Sequence, residues 1–488
     1  MESMSVRGWI LDVYPCGPRD VAVWIIGEDG KRVRLVENYT RRIYVYGRLE
    51  ELENLPRKLA GSRSMGAYRF TQKYADFMEA SKKQVLEIDV TEYGRLPFFA
   101  RKLLRLGGGK LQVYNVDIPV SQAYMYDKDL FPLSNVQVEP SKNGLRYTPL
   151  DSVEDTDYEL PNLKIMWLNV MVEKDASAPR FRDPIKSITL EFDGENVVLD
   201  GGDEVDKLHE LVQKVREEDP DIIFTRGGDA FLMPYLAYRA YVNNALKGFV
   251  LSRDNIPLRG GRRHGRTFFS YGRVYYKAPL RRLFGRIHID VENTFIYRAC
   301  GLEGLFEVSR TCRVPLHRAS RASIGSIMSS LQLYTAWKSE TLIPWKRHVP
   351  ESFKSAWELL VADRGGFIFE PKMGFHTDVF EVDFASMYPM LMLRNNISAE
   401  TVLCKCCPDS PLKVPELGYN ICVKRRGIVP KTLELLLRKR LRYKELRDLK
   451  GATAGFEGCP SARSRGKLGR IPSQQCTCLK PPWGRRSA

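Results

Sequence analysis

The sequence predicts a multidomain protein of mixed α/β and α+β class. Three observations lead there. The chain has 488 residues, room for roughly two to four domains at about 100–200 residues each. Short apolar runs rich in β-branched residues fill the first part of the chain, and from Leu163 such runs alternate with helical periodicity. Hydrophobic residues make up 43% and charged residues 28%, globular proportions that exclude a wholly disordered or fibrous chain.

Residues 1–135 read as one α+β domain. Gly8–Val13 and Val21–Ile26 are strands, and Gly27-Glu28-Asp29-Gly30 after the second is a hairpin turn. Leu49 to Leu59 fits a short amphipathic helix, and Val85–Val90 alternates like a strand. Residues 136–160 are polar, hold Pro140 and Pro149, and read as a connector. Next come strands at Leu163–Val170, Ile188–Phe192 and Val197–Leu199. A helix follows with apolar residues at Val205, Leu208, Leu211, Val212 and Val215, closed by Pro220. Asp221–Thr225 is a buried strand and Pro234 opens another helix. Strand, strand, strand, helix, strand, helix suits a ribonuclease-H-like layer over residues 136–300. Residues 301–351 connect it to a third unit at 352–450. Residues 451–488 hold seven Arg or Lys against one Glu, show no periodicity, and read as a disordered tail.

No apolar run approaches the roughly 18 residues a membrane span needs. Glu2 comes early and no apolar stretch follows it, so the N-terminus is not a secretory signal. The expected location is cytoplasmic, with no membrane partner. Lys and Arg total 76 against 59 Asp and Glu, a net charge of +17. That charge expects a polyanion, nucleic acid foremost, although plain solubility charge would look the same. Residues 259–286 hold nine Arg or Lys and no acid: Arg259, Arg262, Arg263, Arg266, Arg273, Lys277, Arg281, Arg282 and Arg286. Phe268, Phe269, Tyr271, Tyr275 and Tyr276 interleave with them. Cations beside aromatics suit phosphate pairing and base stacking. A solvated hairpin with its aromatics turned to its own core fits equally.

Ten cysteines are too few for a disulfide scaffold of this length. One group stands out, Cys404-x-Cys406-Cys407 with Cys422. It lacks two separated C-x-x-C pairs, so no zinc is expected. A bridge from Cys406 or Cys407 to Cys422 would suit a hyperthermophile, and unpaired buried thiols need no special assumption.

The sharpest signal is Glu381-Val382-Asp383-Phe384-Ala385-Ser386-Met387-Tyr388-Pro389. An apolar strand ends on a carboxylate, and a turn into a helix follows. Such a carboxylate is a good ligand for Mg²⁺, which takes oxygen donors. On spacing alone, a cap on the following helix is the first reading of Asp383.

Asp383 to Pro389 resembles the first catalytic palm motif of family B DNA polymerases, Asp-x-x-Ser-Leu-Tyr-Pro, with Met387 in the Leu place. Gly365-Gly366-Phe367 resembles the Gly-Gly element ahead of that palm. Gly427-Ile428-Val429-Pro430 and Leu435 to Lys444 resemble the approach to the fingers helix. Asp219–Ile223 and Gly285–Asp290 resemble the exonuclease region, and Asp117-Ile118-Pro119 with Tyr124 to Leu130 the N-terminal domain. The likeness runs in order over about residues 5 to 450. It implies a partial palm at 352–430 and the start of the fingers helix at 431–450.

The resemblance implies template-directed deoxynucleotidyl transfer in DNA replication or repair, with primer-template DNA and deoxynucleoside triphosphates as partners. Asp383 and the Phe384 carbonyl would hold two Mg²⁺ ions. Tyr388 would lie under the incoming sugar, with Ser386 beside it. Arg440 and Lys444 would meet the triphosphate; at i and i+4 they share one helix face. Gly365, Gly366, Arg262, Arg263, Arg266, Arg273 and Lys277 would contact DNA. Asp363 stands where the family usually has Tyr.

Other family positions differ. The proofreading Asp-x-Glu becomes Asn169 and Met171, and the Asn and Asp of the second exonuclease motif become Gly227 and Leu232. A Tyr-x-x-x-Asp match is missing between 290 and 330. Without those carboxylates a two-metal nuclease cannot hold its metals, a pattern similar to an archaeal subgroup of paralogues with degraded 3′–5′ exonuclease. The match stops near Asp448-Leu449-Lys450, before the second finger motif, the Tyr-x-Asp-Thr-Asp strand and the thumb. Two readings stay open: a truncated or frameshifted pseudogene product, or a second polypeptide that supplies the rest of the palm and thumb. On either, this chain alone is expected not to extend a primer. The competing expectation is a catalytically silent DNA-binding protein.

Overall fold

The computed structural model describes residues 5–142, 144–173, 178–258, 265–270, 273–346, 353–362 and 368–454. Two compact units emerge, and they do not follow linear order. Of the described residues, one takes those within Met1–Arg41, Pro119–Leu331 and Leu446–Ala488; the other takes those within Arg42–Ile118 and Gln332–Glu445.

The first unit opens with β1 (Val6–Pro15) and β2 (Asp20–Gly27), the two apolar runs of the sequence, paired antiparallel. β3 (Arg32–Asn38) follows through the expected turn, where Gly30 takes φ +78°, a left-handed value that a Cβ would strain. The chain then enters the second unit through β4 (Arg41–Tyr46), α1 (Leu49–Lys58), β5 (Met65–Lys73), β6 (Lys83–Val90), α2 (Leu96–Leu106) and β7 (Gln112–Tyr114). The sheet order there is β5-β6-β4-β7. Both helices are amphipathic, and Leu52, Leu55, Phe99 and Leu103 pack on Ile43, Val45, Leu86 and Ile88. Residues 341–345 of the same unit extend this layer through bridges Tyr74–Thr341 and Tyr114–Pro344.

The chain returns to the first unit with α3 (Val120–Lys128), β8 (Asn135–Ser141) and β9 (Gly144–Pro149), giving the order β3-β2-β1-β8-β9. The expected connector from 136 therefore begins as a hairpin. Val136 and Val138 are buried between half-buried polar neighbours, the alternation of a one-faced strand. Pro140 lies next to the turn and Pro149 ends an edge strand, places where a missing N–H is tolerated.

β10 (Ile165–Val172), β11 (Ile185–Phe192), β12 (Glu195–Leu199), α4 (Glu204–Glu218), β13 (Ile222–Thr225) and α5 (Met233–Val242) follow the expected order. Beyond a two-stranded hairpin, β14 (Arg266–Ser270) and β15 (Arg273–Lys277), β16 (Ile287–Asp290) completes a sheet ordered β12-β11-β10-β13-β16. The β12-β11-β10 pairs are antiparallel and the β10-β13-β16 pairs parallel, the ribonuclease-H-like arrangement. α4 starts on a capping box: Asp203 accepts from the amides of Val205 and Asp206 at 2.7 and 2.9 Å. Its Leu208, Leu211 and Val215 pack on Met166, Leu168 and Ile188.

From residue 296 the named elements among the described residues are all helices: α6 (Ile296–Cys312), broken at Gly301, then α7 (Leu316–Ala319), α8 (Ile324–Lys338), α9 (Ala356–Ala362), α10 (Met387–Arg394) and α11 (Ile428–Ala454). α11 continues four residues into the segment expected to be a disordered tail. Residues 455–488 lie outside the described residues. No helix among the described residues is long and apolar enough to cross a membrane.

Candidate functional site

Asp383 does not stand on a strand. Residues 368–384 are unpaired, and Phe380, Val382 and Phe384 are 89, 93 and 76% exposed. Local propensity makes a strand only where a neighbour takes its N–H and C=O groups. No named strand follows β16 among the described residues. Asp383 does not cap α10 either: Ser386 holds that position in a left-handed conformation, φ +54°, with no side-chain cap. The Asp383 carboxylate is exposed and makes no hydrogen bond or ion pair among the described residues.

α11 is where the fingers helix was expected. There Arg440 Nη1 donates to Ser386 Oγ, which brings one triphosphate-binding candidate onto the Asp383–Pro389 motif. Lys444, one turn on, is exposed, as is Tyr388. Gly365 and Gly366 lie outside the described residues, as does Asp363.

What holds α10 and α11 together is a set of side chains that sequence reading passed over. Asn396 Nδ2 donates to the carbonyls of Cys422 and Arg425, both at 2.8 Å, and its Oδ1 accepts from Gly427 N at 2.9 Å. Buried Glu400 accepts from Ile428 N and from Ser398 Oγ, satisfying an amide at the start of α11. Gly427 has no room for a side chain, since a Cβ there would sit 2.5 Å from Ser398 Cβ. The only sequence signal was Gly427 ahead of a periodic run.

In the first unit, Asn169 and Met171 lie on β10, with Met171 57% exposed, and Leu232 is buried before α5. None of these, nor Gly227, can supply a carboxylate. Three buried carboxylates of the same unit, Asp229, Asp290 and Glu307, are committed elsewhere. Arg321 makes a two-point pair with Asp229, Nε to Oδ2 at 2.8 Å and Nη2 to Oδ1 at 3.1 Å. Asp229 also accepts from Arg281 N and Asn293 Nδ2. Asp290 accepts from the amides of Gly227, Asp229 and Glu292 at 2.9–3.0 Å. Buried Glu307 takes Tyr158 and Thr311 hydroxyls.

His288 lies inside this network. Its Nε2 is 2.8 Å from Thr225 Oγ1 and its Nδ1 is 2.7 Å from the Arg281 carbonyl. A neutral ring satisfies both, accepting at Nε2 and donating at Nδ1. Burial first, then the Arg321 guanidinium, pulls its pKa down to about 4. Burial is the largest influence on Asp229 and opposes its charge, but Arg321 together with its other partners outweighs it and holds that carboxyl below its ordinary range. Asp229 sits in an apolar stretch, Ala230-Phe231-Leu232, and a buried acid there implies a buried cation.

The basic segment divides in two. Arg282 pairs with Asp12 at 2.8 Å, and buried Arg286 binds Asp219 and the carbonyls of Pro220 and Leu251, so these cations are internal. The hairpin is different: Phe269 and Tyr276 are 72 and 64% exposed and Arg266 is exposed. Burial, then the charges of Arg318, Arg266 and Arg321, push the Lys277 ammonium below its ordinary value, the mark of crowded positive charge. Arg262 and Arg263 lie outside the described residues, as does the Arg273 side chain.

Residues 325–456 match the family model described as DNA polymerase family B. A DNA polymerase of Archaeoglobus fulgidus is 25% identical over 500 residues, covering 93% of this chain and 62% of that protein. DNA polymerase 2 of Saccharolobus solfataricus is 33% identical over 144 residues, covering 30% of this chain and 22% of the other. The structure of the family B DNA polymerase from the hyperthermophilic archaeon Pyrobaculum calidifontis superposes with a TM-score of 0.67 at 22% identity, covering 97% of this chain and 67% of that one. The chain thus spans less than two thirds of the length of these curated relatives.

Proposed function

We propose that this relative of the family B DNA polymerases engages primer-template DNA in replication or repair and contributes part of a nucleotidyl-transfer site, without proofreading. The observation that carries this reading is the Asp383–Pro389 motif meeting Arg440 of α11 through Ser386. In this reading Arg440 and Lys444 face the triphosphate as a cationic pair one turn apart, and Tyr388 lies against the incoming sugar. A two-metal site needs carboxylates that clamp both ions. Asp383 and the Phe384 carbonyl, on an exposed and unpaired segment, offer one of each and do not fit that requirement. No metal-dependent step is assigned to these residues alone. In this reading a second carboxylate joins Asp383, from more of the same chain or from a second polypeptide.

The 3′–5′ nuclease is silent in this reading, because Asn169, Met171, Gly227 and Leu232 replace its ligands and Arg321 neutralises Asp229. Labelled single-stranded DNA incubated with the chain and Mg²⁺ or Mn²⁺ stays full length. Shortening that survives repeated purification contradicts the reading.

Binding to primer-template DNA tests the rest. The logarithm of the binding constant is expected to fall linearly with the logarithm of salt concentration. Arg266→Ala or Lys277→Ala each lowers that slope by about 1, the value of one phosphate contact. Failure to bind primer-template at about 50 mM salt, where phosphate contacts are strong, removes the proposal. The competing reading, a silent DNA-binding protein, is favoured by the unpaired Asp383 segment. It keeps the DNA binding and loses incorporation even when the missing palm is supplied.

A further inference from the structure

We propose that Cys404, Cys406, Cys407 and Cys422 bind a single zinc ion in an all-thiolate structural site. Their four Sγ atoms lie within 4.8 Å of one another, and three of the four residues are buried. Cys404 to Cys407 is 3.1 Å, Cys406 to Cys422 3.4 Å, Cys407 to Cys422 3.6 Å and Cys406 to Cys407 3.8 Å. With Zn–S near 2.3 Å, a tetrahedron puts its sulfurs about 3.8 Å apart. The four spacings run from 3.1 to 3.8 Å, at or somewhat under that value, and all four sulfurs lie within 4.8 Å of one another. A four-iron cluster places a cube of iron and sulfide between its cysteines and would hold these sulfurs much farther apart. All four thiols are unbonded to one another.

The surroundings fit a metal-centred knuckle. Between α10 and α11, the buried apolar side chains among residues 395–427 are Cys404, Cys407, Ile421 and Cys422. So short a segment with one buried aliphatic side chain lacks a core of its own, and a structural metal supplies one. Backbone pairing returns Cys422 to the others, through the bridge Val402–Ile421 and the bond from Leu403 N to the Asn420 carbonyl at 2.8 Å. Asn420 Nδ2 donates to the carbonyls of Cys404 and Cys407 at 3.0 and 2.8 Å and lies 3.5 Å from Cys404 Sγ. Such bonds orient thiolate ligands from the next layer out. Each thiol gives up its proton on binding, and Lys405, between two ligands in the sequence, helps offset the charge of −2 that remains.

Sequence spacing argued against zinc because the ligands are not two C-x-x-C pairs. The fold replaces the second pair with a return of the chain. The site has a mechanical consequence. Asn396 binds the Cys422 carbonyl and Gly427 N, so the ion would fix the start of α11 against the end of α10.

The test uses the full 488-residue chain, expressed with zinc and iron both supplied and purified without chelator. Metal, acid-labile sulfide and free thiols are measured on one sample. About one zinc per chain and no labile sulfide is expected. Cobalt(II) exchange then gives the visible spectrum of a tetrahedral thiolate site. Cys422→Ser and Cys407→Ser lose the zinc, and Cys16→Ser, an exposed thiol elsewhere, keeps it. The unsubstituted chain decides the matter even if a variant fails to fold. A chain without zinc whose cluster thiols react freely overturns the proposal. So does a Cys–Cys bridge within the cluster, or iron with labile sulfide.

Discussion

Asp229 and Asp383 stand at similar places in the local sequence, each a few residues ahead of a helix, and meet opposite surroundings. Asp229 is fully buried, bound by Arg321, Asn293 and the Arg281 amide, beneath a sheet whose five strands are all present. Asp383 is exposed, on a segment with no strand beside it among the described residues. The first carboxylate is structural and spent; the second has neither a partner nor a strand beside it among the described residues. A carboxylate's chemistry is set by what the surrounding layer supplies, and among the described residues only Asp229 has such a layer.

The comparison can be broken by removing each group in turn. The largest effect belongs to Asp229→Ala or Arg321→Ala, which leaves a buried charge without its partner. Either is expected to destabilise the protein by about 3–5 kcal/mol, read from urea unfolding. A loss below about 1 kcal/mol would mean that the pair is wetter than the structure has it. Next is acid sensitivity through His288. Its pKa of about 4 in the fold lies below the ordinary 6.5, so the unfolded chain takes up the proton first. Stability is therefore full above pH 6.5 and falls as the pH drops towards 4, by roughly 3 kcal/mol at about 1.4 kcal/mol per unit. His288→Gln flattens that part of the profile; an unchanged profile would assign the acid loss to carboxylates. Smaller again is Asp203→Ala at the α4 cap, expected to cost about 1 kcal/mol, measured as a shift in unfolding midpoint. Smallest is Asp383→Ala, within about 0.5 kcal/mol of the parent. A large loss there would reveal partners that the structure does not give it.

The layer around Asp229 was largely legible from sequence. Its strands are short runs rich in apolar and β-branched residues, its helix carries its cap and its 3.6 period, and their order restricts the topology to a few choices. The Arg321 pairing was not, because it joins residues 92 apart in the chain and no local pattern marks which buried cation meets which acid. The hairpin of β8 and β9 was hidden by its polar residues and two prolines; its strand character comes from pairing with β1. Around Asp383 the error ran the other way. Phe380, Val382 and Phe384 favour a strand by propensity, but a strand also needs a neighbour. All four cysteines of the cluster stood out as one group in the sequence; what the sequence did not show is how Asn420 and the Val402–Ile421 bridge bring Cys422 back to the other three. Arg440 meeting Ser386 was foreseeable only through the family resemblance, since 54 residues separate them.

The most direct measurement is primer extension by the purified chain, with Mg²⁺, all four deoxynucleoside triphosphates and a primer-template, run beside Asp383→Ala. A lone exposed carboxylate predicts no template-dependent incorporation by either protein. Incorporation that follows the template and vanishes in Asp383→Ala would contradict the account, for it would mean that these 488 residues assemble a complete two-metal site by themselves.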